Sequence, residues 1–130
     1  MSENAKNIEQ SAEGAARSLA ELVAELETRG IEYPGEAYRI YGYLTRAAGE
    51  MRTALDLIGT AVQGLQDKGH LMSDFRGEPL DEVLDRFTEY SVASQDLAGE
   101  VVNKLSKTYS AVGYLAYKET PEGPEPTAGD

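Results

Sequence analysis

The chain has 130 residues, with 12 basic against 23 acidic side chains, a net charge of -11, no cysteine and one histidine. That length suits one domain, the charge repels phosphate backbones and anionic lipid, and the missing cysteines exclude disulfides and thiolate chemistry. A lone histidine leaves no imidazole-rich metal site to build.

Residues 1–10 lack the basic and then apolar run of a signal peptide, and no apolar stretch approaches the ~20 residues of a membrane span. The expected location is the cytoplasm. A first helix is expected over about 5–29, where Ile8, Ala12, Ala15, Leu19, Leu22 and Leu26 keep heptad spacing and Gly30 is placed to stop it. Its stripe is thin, because two of those six residues are alanine, so tertiary packing must hold it. Glu13 with Arg17 and Glu25 with Arg29 are spaced for ion pairs along its outer face. Residues 31–35 form a connector, with Pro34 and Gly35 marking a turn.

The second helix is expected over about 36–67. Ala37, Tyr41, Leu44, Ala48, Met51, Leu55, Ile58, Val62 and Leu65 recur at alternating spacings of four and three, the stripe one helix presents to another. Beside it, Ile40, Ala47, Ala54 and Ala61 form a small-residue row, a natural dock for the first helix. Gly42, Gly49, Gly59 and Gly64 lie inside this helix, each costing about 1 kcal/mol relative to alanine in an exposed position. They mark either close approach by a neighbour or a tolerated weak helix.

Residues 68–78 break the pattern and read as a hairpin loop. Gly69 is placed as the helix stop, and Pro79 suits the first position of the next helix. That third helix is expected over about 79–118, with a seam of Leu80, Leu84, Phe87, Ser91, Ser94, Ala98, Val101, Leu105, Thr108, Val112 and Leu115. Folding it back sets Ile58 near Phe87, Leu55 near Ser91, Met51 near Ser94, Ala48 near Ala98 and Leu44 near Val101, large facing small. The fold class is therefore all-α: an elongated helical bundle made of a long antiparallel hairpin (36–67 and 79–118) plus the N-terminal helix. It forms a single domain over 1–118, and the Pro/Gly-rich acidic stretch 119–130 is expected to be a disordered tail.

No chemistry-bearing constellation emerges. The carboxylates lack the Glu-x-x-His spacing of a di-iron bundle, His70 falls in the loop, and neither a phosphate-binding glycine motif nor a nucleophile turn is present. The expectation is a protein that is not an enzyme and has no cofactor. Recognition is the better reading of the tyrosines. Tyr33, Tyr38, Tyr41 and Tyr43 open the second helix, and Tyr109, Tyr114 and Tyr117 close the third, which a hairpin brings to one end. Tyrosine combines large contact area with a polar handle. Tyr38, Tyr43, Tyr114 and Tyr117 are the candidate partner-binding residues, whereas Tyr41, on the seam, reads as an aromatic cap. The loop end is acidic instead, through Asp74, Glu78, Asp81, Glu82, Asp85 and Glu89. Favourable interaction with the helix dipole explains the first of these, but not Glu89.

The loop holds Phe75, Arg76 and Gly77, an aromatic-X-Gly turn between two helices in an acidic, cysteine-free chain. Over about 36–118 the protein resembles the Trp-X-Gly family of small type VII secretion substrates, with Phe75 where the family has tryptophan. The resemblance implies a hairpin that pairs with a homologous or identical hairpin, and leaderless export. The family's Tyr-x-x-x-Asp/Glu signal has no counterpart, since Lys118 stands four residues after Tyr114. The functional expectation is a helical protein-protein interaction module, self-associating or pairing with another helical chain. The alternative is an acidic inhibitor or nucleic-acid mimic that occupies a basic protein surface.

Overall fold

The computed structural model describes residues 3–74 and 77–119, with the side chains of 3–6 excepted. Among these the chain forms three helices and no strand: α1 (Glu3–Thr28), α2 (Pro34–Asp67) and α3 (Leu80–Val112). Phe75, Arg76 and the stretch 120–130 fall outside the described residues, and with them the aromatic of the turn motif and the expected tail.

Each boundary has a local cause. Gly30, at φ 76°, takes the left-handed conformation that lets the chain leave α1. Tyr33 caps α2 in extended geometry and Pro34 opens the helix, where its missing N–H is no loss. The end of α2 is a Schellman motif. Gly69, at φ 74°, donates its N–H to the Gln66 carbonyl at 2.9 Å, and the His70 N–H reaches the Leu65 carbonyl at 2.9 Å. Pro79 does not begin α3 but precedes it, as an extended cap with φ -63° and ψ 143°.

The third helix is shorter than its sequence pattern. It stops at Val112 rather than near Lys118, because Gly113 follows and the next bonds tighten to three-residue spacing, Tyr114 N–H to Ala111 O and Leu115 N–H to Val112 O. Residues 115–118 then run without helix.

Helices α2 and α3 pack antiparallel, as the sequence required, but one turn away from the expected register. Ser91 stands against Gly59, where a Cβ would lie 3.1 Å from its Oγ, while it still borders a groove with Leu55. In the same way Arg52 lies over Gly99 and Tyr109 over Gly42. The glycines decide the register, because a bulky side chain gains most where the facing helix has no Cβ. Gly42, Gly59, Gly99 and Gly113 are such contacts, and Gly14, Gly49 and Gly64 have nothing within 4 Å of a built Cβ.

The slip also turns the helices. Of the expected α2 stripe, Ala37, Tyr41, Leu44, Ala48, Leu55 and Val62 are buried or partly buried, but Met51, Ile58 and Leu65 are exposed. On α3, Gln95 and Val102 turn inward in place of Ser94 and Val101. Ala48 and Ala98 are the buried hydrophobic residues among those described. The first helix departs furthest from expectation: α1 packs against neither α2 nor α3, and the row of Ile40, Ala47, Ala54 and Ala61 carries no docked helix.

Candidate interaction surface

The tyrosine end is assembled by the hairpin. Tyr38 stacks on Tyr109 with ring centroids 4.2 Å apart and planes at 19°, and Tyr33 meets Tyr117 edge-on at 4.9 Å. Gly113 makes room for the Tyr38 ring, to which a Cβ would stand 3.0 Å away. A hydrogen bond with Tyr38, with burial second, raises the Tyr109 phenol above its ordinary pKa. Two of the four candidate partner-binding residues, Tyr38 and Tyr117, are thus engaged within the chain, tying the segment after α3 to the start of α2. Tyr43 and Tyr114 point outward, the latter 91 % exposed. Gly77, the other residue named for the turn motif, adopts φ 75° just ahead of α3.

Next to this end lies a charged clamp. The Glu36 carboxylate accepts the N–H groups of Glu32 at 3.0 Å and Tyr33 at 3.3 Å, and pairs with the Arg29 guanidinium at 2.9 Å. The bond from Arg29 comes first in holding the Glu36 carboxyl below its usual range, followed by the backbone N–H of Glu32. The Arg29 guanidinium is raised in return, chiefly by its bond to Glu36. Sequence spacing pairs Arg29 with Glu25; the structure gives it to Glu36, across the connector. The Glu13 and Arg17 pair does form.

A further surface feature departs from the expected seam. Along one side of the hairpin, α2 seam residues left exposed join the small-residue row and apolar residues of α3 outside its seam. Met51 and Ile58 on α2 are 53 % and 56 % exposed, and Tyr90 and Leu97 on α3 are 65 % and 61 % exposed. Between the helices on that side is an open apolar groove of about 450 Å³, bordered by Leu55, Ile58, Phe87, Tyr90 and Ser94, with Arg86 at its rim. The opposite groove, of about 280 Å³, is lined by polar groups including Asp56, Thr60, Gln63 and Gln95. The signal was present in the sequence: Ile40, Ala47, Ala54 and Ala61 continue the apolar side of α2 without a charge.

The loop-end acids are partly accounted for. Glu78 pairs with Arg86, and Asp81 and Glu82 occupy the first turn of α3, where the helix dipole favours them. His70 is exposed in the loop. Among the described residues, no three carboxylate or imidazole groups gather as a metal site would require, and no helix is long and apolar enough to cross a membrane. Compared with known proteins, the chain matches no family model, no curated sequence and no solved structure.

Proposed function

We propose that the protein is a non-enzymatic helical interaction module that works by burying the apolar side of its hairpin against another helical chain. The observation that carries this reading is the exposed face formed by Met51, Ile58, Tyr90 and Leu97, on a hairpin whose buried hydrophobic residues, among those described, are Ala48 and Ala98. Contiguous exposed apolar surface is what an interaction site presents. A type VII-like hairpin is one version of the reading, supported by the aromatic-X-Gly turn alone. The tyrosine end contributes Tyr43 and Tyr114 as further contacts at the margin.

The test combines light scattering on the full chain with affinity capture from the cells that make it, using the wild type and Ile58→Glu. Self-association or a captured helical chain, lost in Ile58→Glu, is the expected result. A wild type that stays monomeric at high micromolar concentration, and captures nothing that the variant does not, overturns the reading. The net charge of -11 favours a second reading, an acidic inhibitor on a basic nucleic-acid-binding protein. It requires a salt-sensitive basic partner displaced by DNA, and a pulldown without one removes it.

A further inference from the structure

Two apolar surfaces of the chain lack a cover: the side of the hairpin just described, and the stripe of α1. On α1, Ile8, Leu19 and Leu26 are all exposed, and in proteins most helical stability comes from packing such an apolar face rather than from propensity. From the proposed role as an interaction module, we infer that the occupant of the hairpin face is α1 of a second copy of this chain, the two copies exchanging their first helices reciprocally.

Length and charge both fit. The stripe from Ile8 to Leu26 spans 18 residues, or ~27 Å at the helical rise, and the apolar face from Leu44 to Leu65 is ~32 Å long by the same rise. Glu9 and Glu27 are also 18 residues apart, five turns, and so stand on one edge of α1; Arg86, which also pairs with Glu78, and Lys104 share that separation on the outer edge of the face on α3. Laying the acidic edge of α1 along those two cations fixes the direction in which it runs. Its other edge then brings Ser11 and Ser18 to the row of Ala47, Ala54 and Ala61, small against small, where helices approach closely. A helix seated between two others over that length buries roughly 1,200 Å², and two such contacts reach roughly 2,400 Å², above the size of a standard stable interface.

The covering α1 is not the chain's own. Glu36 ties both sides of the connector, through Arg29 and the N–H groups of Glu32 and Tyr33, and Tyr33 is held in turn against Tyr117. With the connector so fixed, α1 leads away from the hairpin that carries it and meets neither of its helices.

The test uses the full chain and two variants, Leu19→Glu in the α1 stripe and Ile58→Glu in the face, with circular dichroism checking that each stays helical. The wild type is expected at twice the chain mass of 14.1 kDa and each variant at the single mass. Mixing the variants should restore dimers, because the α1 of Ile58→Glu can still occupy the face of Leu19→Glu; with one contact of two, their affinity should be at least tenfold below that of the wild type. A mixture that stays monomeric overturns the exchange. A Leu19→Glu chain that still dimerises also overturns it, showing direct pairing of hairpin faces and leaving the interaction module standing. A monomeric wild type that captures a helical partner through the face does the same, and a monomeric wild type that captures none removes both.

Discussion

At the scale of single residues, glycine and glutamate account for most of what the spacing of apolar residues could not. Gly42 and Gly64 are both glycines inside α2, yet a Cβ would stand 2.9 Å from the Tyr109 ring at Gly42 and meet nothing at Gly64. Gly64→Ala should therefore raise stability by about 0.5 to 1 kcal/mol through helix propensity. Gly42→Ala should lower it by about 1 to 3 kcal/mol, since the ring is held in its stack on Tyr38. Thermal or urea unfolding of the two variants checks the contrast. Glu36 supplies a pH dependence. Its carboxyl is held below the ordinary value when folded, so the clamp is fully formed above the unfolded pKa and is lost as pH falls through the lower, folded one. Protection factors of the Glu32 and Tyr33 amides, followed by hydrogen exchange from neutral pH into the acid range, should fall in that direction. The Glu36→Gln variant should show weak protection of both amides throughout.

At the scale of elements, the seam of α3 exchanges Ser94 for Gln95 and Val101 for Val102. Had Ser94 faced Met51 in the core, leucine there would overpack the layer. In the structure Ser94 borders the open groove with Leu55 and Ile58, so Ser94→Leu should change the stability of the hairpin by less than about 0.5 kcal/mol. The same variant widens the apolar face and should strengthen association. A fall in melting temperature without tighter self-association would place Ser94 back in the core. α1 shows the same lesson: its heptad stripe was legible, but a stripe states that a helix needs a partner and not which one.

For the whole molecule, charge and apolar surface act against each other. A chain of net charge -11 repels its copies, yet the apolar side of α2 carries no charge between Ile40 and Leu65. Raising salt from 0.05 to 0.5 M, which shortens the screening length from roughly 14 to 4 Å, should strengthen self-association as read by light scattering. Weakening with salt would instead make ion pairs, such as those of Arg86 and Lys104, the dominant contribution.

The sequence by itself determined the all-α class, the three helices, most of their ends and the antiparallel hairpin. These follow from local rules, apolar periodicity and the residues that cap or stop a helix, which act within a few positions along the chain. It also placed most of the tyrosines at one end, since hairpin topology alone brings the start of α2 to the end of α3. Only the tertiary structure decided the register and the separation of α1, whereas the early end of α3 has a local cause in Gly113 that the apolar periodicity overran. A heptad pattern repeats each turn or two, so pairings one turn apart bury similar apolar area, and the choice falls to where a ring or guanidinium meets a missing Cβ. That choice turned Met51 and Ile58 outward beside Tyr90 and Leu97, and it made part of an apolar face from residues whose spacing alone assigns them to a core.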